Sequence, residues 1–346
     1  MNKRILVFCL LALALMNPNQ IWAQRNKKGS DGKAKKVVIS DFTRQQSAKF
    51  ADGLRDFYSD NFEMAENTFR QILDKDAKND AAAYMLARIY KTKKKYPDAM
   101  TFLQTALKIN KSNVWYKVEM AEVYSLMNDY KNSAKLWEEI CKLKPENEYY
   151  LINLSEAYIS GQEYGKVIDV YDRFEVLNGY NDEITSAKVE LWLYLNDVKG
   201  ALGEYDKLIK EFPNEARYYV LAGNICTSNN LPDKALAYYQ KALEINPNNA
   251  MANLAMGDYY LARQNDKAAF ESMVVAFKDP EIDIENKLPF LKKYLLKAVK
   301  IMNAEAIEQC ELLADYIAVA HPDHLEGWAT LASISMLKKD YAKAEN

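Results

Sequence analysis

Residues 235–249 read Ala-Leu-Ala-Tyr-Tyr-Gln-Lys-Ala-Leu-Glu-Ile-Asn-Pro-Asn-Asn. From Lys234 to Asn246 the apolar side chains recur at helical spacing, and Pro247, with no amide hydrogen to donate, stops the run. An earlier run begins at Ala216 and breaks at Ser228-Asn229-Asn230. Ala216 to Asn249 is therefore one unit of helix, short turn, helix and turn. Pro145, Pro213 and Pro322 close other units at the same place.

The unit recurs at a fixed period. Steps of 34 from Ala65 land on Ala99, Ser133, Val167, Ala201, Ala235 and Ala269, all small or β-branched. The same step from Phe69 lands on Leu103, Trp137, Tyr171, Tyr205, Tyr239 and Met273. A second small ladder runs Gly53, Ala87, Ala121, Ser155, Val189, Gly223, Gly257, and another runs Tyr90, Tyr124, Tyr158, Trp192, Cys226, Tyr260. Small residues let helices approach to about 8–10 Å, and large ones fill the space beside them. This accounts for most of the 24 tyrosines without a ligand.

The small–large–small pattern, clearest at 235–249, is similar to that of the tetratricopeptide repeat (TPR) family over about residues 46–346. The resemblance implies an all-α fold, a right-handed TPR superhelix (α-solenoid) of helix-turn-helix repeats. Seven TPR units occupy 46–283. The next alanine-type position is Cys310, 41 residues after Ala269, seven more than the period, which places an insertion within Pro280 to Lys287. Residues 284–346 then hold a degenerate eighth repeat, its first helix at Phe290 to Met302, and a ninth that begins at Leu325. The ninth is cut inside its second helix, just after Ala344, and a solenoid is expected to continue to a polar capping unit.

The N-terminus carries a different pattern. Lys3 and Arg4 precede an apolar run from Ile5 to Met16, too short to span a bilayer core of about 30 Å. Asn17-Pro18-Asn19 break it, and the segment ends at Ala23. Residues 1–23 are expected to be a secretory signal peptide, and 24–45 a basic flexible leader. Cys9 follows bulky Val7 and Phe8, against lipidation there. No later stretch is apolar enough to cross a membrane as a helix, so an exported, periplasmic or outer-membrane-associated protein is expected, with peripheral membrane association open to it.

Without Lys3 and Arg4 the chain holds 44 basic and 48 acidic residues; residues 24–40 are +5 and everything after them −9. A body of that sign is a poor nucleic-acid binder, because phosphate neutralisation needs clustered Lys and Arg. Cys141, Cys226 and Cys310 fall on packing positions, the first two some 20 Å or more apart by layer counting at about 8–10 Å per layer. All three are expected to be buried free thiols. His321 and His324 sit in an inter-repeat turn and are expected to be surface histidines rather than metal ligands. Gly29-Ser30-Asp31-Gly32-Lys33 lacks the spacing and the preceding strand of a phosphate loop. Catalytic residues, cofactors and metals are accordingly expected to be none.

In the family that the repeats resemble, partners dock on the concave face through positions 2, 5, 9 and 12 of each first helix. Position 9 here reads Leu54, Arg88, Glu122, Glu156, Glu190, Asn224, Asp258. Position 2 includes Trp115 and Tyr149, and position 5 includes Tyr84. The resemblance thus points to a groove of Tyr84, Arg88, Trp115, Glu122, Tyr149, Glu156 and Glu190. An acidic stripe with aromatic borders suits a protein or peptide that carries basic and apolar side chains. The Lys and Asn set that clamps a C-terminal carboxylate in some members is missing. Two functional classes follow. One is a non-enzymatic interaction scaffold or adaptor of the cell envelope. The other is the repeat arm of a larger enzyme or polysaccharide-export protein with its functional domain beyond residue 346.

Overall fold

The computed structural model describes residues 41–338. The expected signal peptide, most of the basic leader and the second helix of the ninth repeat lie outside the described residues. Among those described, seventeen helices account for the regular structure and there is no strand. The molecule is an all-α helical-repeat solenoid. No described helix is long and apolar enough to cross a membrane.

The chain divides into two compact units between Leu195 and Asn196. The first holds α1 (Asp41–Tyr58), α2 (Phe62–Lys75), α3 (Asp80–Thr92), α4 (Tyr96–Ile109), α5 (Val114–Leu126), α6 (Tyr130–Leu143), α7 (Glu148–Ser160), α8 (Tyr164–Asn178) and α9 (Asp182–Tyr194). The second holds α10 (Val198–Glu211), α11 (Ala216–Ser228), α12 (Pro232–Ile245), α13 (Ala250–Ala262), α14 (Asp266–Lys278), α15 (Ile284–Lys300), α16 (Ala304–Ala320) and α17 (Leu325–Leu337). Within each unit, helices adjacent in sequence pack on one another, except that α14 packs on α16 rather than on α15.

Asparagines start the first helices. Asn79, Asn113, Asn147, Asn181 and Asn249 each accept a backbone amide of the first turn of α3, α5, α7, α9 and α13 through the side chain, which satisfies one of the orphan donors there. A left-handed residue ends them. Asp60, Lys94, Asn128, Gln162, Asn196, Asn230 and Gln264, all at φ between 56° and 60°, follow one another at the repeat period. The amide of the next residue reaches back five positions, as from Lys95 to Tyr90 O (2.8 Å), Asp129 to Tyr124 O (2.9 Å) and Leu231 to Cys226 O (2.8 Å). This is the Schellman closure, here made mostly without glycine.

The two ladders of the sequence meet inside the layers. Ala65, Ala99, Ser133, Val167, Ala201, Ala235 and Ala269 are buried, as are Phe69, Leu103, Trp137, Tyr171, Tyr205, Tyr239 and Met273. The three cysteines are free and buried, and burial raises their thiols, to about 12 for Cys141 and Cys310. Lys188 on α9 is wholly buried, and its ammonium lies 2.8 Å from Glu175 and 2.5 Å from Asp172, both on α8.

The long repeat differs from its reading in the sequence. α15 begins at Ile284, one ordinary period after Ala250, so no loop is inserted at Pro280 to Lys287. Instead α15 has 17 residues where α13 has 13, and α16 has 17 where α12 has 14. The first helix of this repeat therefore starts well before Phe290 and runs through Pro289. The seven extra residues amount to about two turns at 3.6 residues each, so the buried stripe returns in phase. Cys310 keeps its place on that stripe.

His321 also departs from expectation. It is half-buried, its Nε2 lies 2.8 Å from Lys287 Nζ, and burial lowers its pKa. Lys287, fully buried, donates to the carbonyls of Phe277 (3.2 Å) and Asp279 near the end of α14, and burial pulls its pKa down to about 8. A long side chain in the first turn of one helix can reach inward when the end of the preceding helix offers bare carbonyls. His324 is exposed, as expected.

Gly223 shows how tight the layers are. A Cβ there would stand 2.5 Å from Tyr239 Cε1. The ring has little room to retreat, since its hydroxyl donates to Asn224 (2.8 Å) and contacts Thr227 (3.0 Å). At Gly257 the nearest atom is Met273 Cγ at 3.1 Å, on a flexible chain. Gly223→Ala should lose about 1–3 kcal/mol by overpacking, despite a gain of up to about 1 kcal/mol in helix propensity. Gly257→Ala should be near neutral. Urea midpoints of the two variants check the contrast.

Candidate partner-binding groove

The first helices of the first unit bring part of the expected stripe together. On α3, Tyr84 donates its hydroxyl to Glu119 Oε2 on α5 (3.1 Å), and its ring lies 4.9 Å from that of Tyr116. Burial and the Glu119 carboxylate raise its phenol above the ordinary range. One turn on, the Arg88 guanidinium lies 4.8 Å from the centre of the Phe57 ring and 5.9 Å from that of Tyr84. Arg88 is thereby committed to aromatic faces rather than to the acidic row.

Lys91 is the residue that the sequence reading passed over. Its ammonium lies 2.5 Å from Glu119 and 2.7 Å from Glu122, both on α5. Burial opposes the charge, but the two carboxylates outweigh it and raise its pKa. From α7, Tyr149 adds a hydroxyl donated to Glu122 Oε1 (3.3 Å). Its ring meets those of Trp137 and Tyr150 edge-on at 6.2 and 5.9 Å. Tyr84, Glu119, Lys91, Glu122 and Tyr149 thus form one continuous network across three successive first helices. Lys91 stands at position 12 of its helix, three residues beyond Arg88, so the family spacing applied to that row would have found it.

Beside this network, α5, α6 and α7 enclose a pocket of about 310 Å³. Glu122 and Glu156 both line it, with Ser125, Asn153 and Ser160 as further polar groups and Trp137 as its large apolar side. Glu156 is exposed and Glu190 half-buried, and protein around each carboxyl raises its pKa. Neither makes a hydrogen bond or ion pair among the described residues. Trp115, 58% exposed at the start of α5, and Glu190 on α9 make no ring contact, hydrogen bond or ion pair with the Lys91 network. The three glutamates are therefore unequal: Glu122 already has a cation and a phenol, while Glu156 and Glu190 keep their charge for something else.

This is the geometry of a helical-repeat protein whose first helices present side chains in rows. Tetratricopeptide repeat family models match residues 57–119 and 216–249. The chain contains tetratricopeptide repeats at both places. A human relative, Protein SGT1 homolog, is 34% identical over 96 residues, 26% of this chain and 24% of that protein. The chain thus spans about a quarter of that relative's length. Among solved structures, a tetratricopeptide repeat protein from Parabacteroides merdae is 16% identical, with a TM-score of 0.40 over 72% of this chain and 98% of its own. PilF from Pseudomonas aeruginosa is 18% identical, with a TM-score of 0.36 over 60% of this chain and 95% of its own.

The Lys91 bridge is testable in isolation. Glu119 is only 8% exposed, so Lys91→Met strands a buried carboxylate. Removing one partner of such a pair should lose about 3 kcal/mol. Adding Glu119→Gln to that variant should return much of it, since an amide costs less to bury than a charge. Urea unfolding of the single and double variants at neutral pH measures both steps.

Proposed function

We propose that this protein is a non-enzymatic scaffold that holds a protein or peptide partner on the first helices of its first unit. Tetratricopeptide repeats support a protein–protein interaction role in general. The observation that carries the specific reading is the pair Glu156 and Glu190, two carboxylates without an internal cation, in a unit that also exposes Trp115 and Tyr149. Such a surface fits a segment with Lys or Arg for the carboxylates and apolar side chains for the aromatics. The pocket between Glu122 and Glu156 has the size to take one such side chain. The lysine-rich leader and the apolar start of the chain further support export and action in the cell envelope, in the periplasm or at the outer membrane.

A labelled peptide of lysines around a Leu-Phe pair, titrated against the full chain, tests the groove. Glu156→Gln with Glu190→Gln should weaken binding by about tenfold, whereas Glu122→Gln alone should do less, because Lys91 already neutralises that carboxylate. Affinity should also fall on acidification from above the ordinary glutamate pKa of about 4.3, since burial raises both groups. Equal affinity of the double variant and the parent would refute the assignment. Export is checked by fractionating cells that express the chain with and without residues 1–23.

A further inference from the structure

The second unit carries a surface of opposite chemistry. α10, α11 and α12 enclose a cleft of about 720 Å³. Val198, Leu202 and Leu231 form its apolar wall, and three exposed lysines, Lys199, Lys234 and Lys241, stand around it. Asp206 is the one carboxylate among the lining residues, and it accepts a hydrogen bond from the Tyr238 hydroxyl at 2.8 Å. Lys241 pairs with Glu244 at 2.5 Å. Lys199 and Lys234 make no hydrogen bond or ion pair among the described residues.

A cluster of ammonium groups is out of keeping with its surroundings here. The chain beyond residue 40 is −9 overall, yet this cleft gathers three cations, one of them paired with Glu244, around a single lining carboxylate. Two of the cations have nothing of their own to neutralise. Long-range attraction towards anions, followed by burial of an apolar side chain against Val198, Leu202 and Leu231, is what the arrangement is built to give. An inorganic anion would leave the apolar wall wet. A purely aliphatic ligand would leave the lysines unused. An α10–α12 site sits mainly on second helices, apart from the first-helix rows discussed above.

We propose that the α10–α12 cleft is a second docking site, for an acidic peptide segment that carries an apolar anchor. The anchor fills the wall between Leu202 and Leu231, and flanking Asp or Glu side chains meet Lys199 and Lys234. The site does not depend on the groove reading.

Fluorescence anisotropy with the full chain separates the two. The probe is a labelled peptide of glutamates around a Leu-Phe pair, and its lysine counterpart is the control. Lys199→Gln with Lys234→Gln should weaken the acidic peptide by about tenfold and leave the lysine peptide unchanged. Glu156→Gln with Glu190→Gln should leave the acidic peptide unchanged. Replacing the Leu-Phe pair by Ser should also weaken it. Both lysines are exposed, so urea midpoints of the variant should match the parent and exclude a folding defect. The proposal is overturned if the acidic peptide does not bind, if the lysine variant binds it equally, or if the anchorless peptide binds as well. It is also overturned if sedimentation shows a dimer that the lysine variant abolishes, since the occupant is then a second copy of this chain.

Discussion

Everything in this molecule depends on how each first helix is made to stop. A non-glycine residue at φ near +58° ends it at every period, and the next amide folds back on a carbonyl five residues earlier. Left-handed backbone is unfavourable for residues with a Cβ. It persists where the surroundings over-determine it, and here the layers do so. The turn aims the second helix back along the first, so that Ala235, Tyr239 and their counterparts are buried, with Tyr239 against Gly223 and Phe69 against Gly53. Backbone strain at one residue is thus offset by burial of a large side chain about nine residues later.

The same close packing decides what the groove can offer. Side chains at the edge of the layers are drawn into neighbouring repeats, and Tyr84, Lys91, Glu119 and Glu122 satisfy one another. What a partner meets is the remainder: carboxylates that no internal cation claims and aromatic rings left partly in water. In the α10–α12 cleft the remainder is cationic. A repeat array can carry several such remainders because each unit solves its folding problem locally.

Much of this was legible in the primary structure, for a physical reason. A period of 34 imposes the same contact on every unit, so four ladders carry one message many times over, and the helices, their order and the buried thiols could all be read from it. Features that break the period could not. Lys91 itself lies on the period, but its pairing with Glu119 and Glu122 depends on lengths and rotamers particular to two helices. Lys287 turns inward because two carbonyls at the end of α14 need a donor, a demand that composition does not display. The α10–α12 cleft was invisible for another reason: its residues come from three helices and from no single repeat position.

The long repeat at α15 and α16 shows that size here comes in quanta. Each residue turns a helix by about 100°, so one or two added residues would swing the Cys310 face from core to water. Four in the first helix overshoot a turn by about 40° and three in the second fall short by about 60°, so that the seven together come to about two turns. The pair can therefore stand taller than its neighbours while the chain beyond continues to α17 in register. Divergence among such chains has a coarse ruler: neutral drift in side chains is continuous, but drift in length is restricted to whole turns.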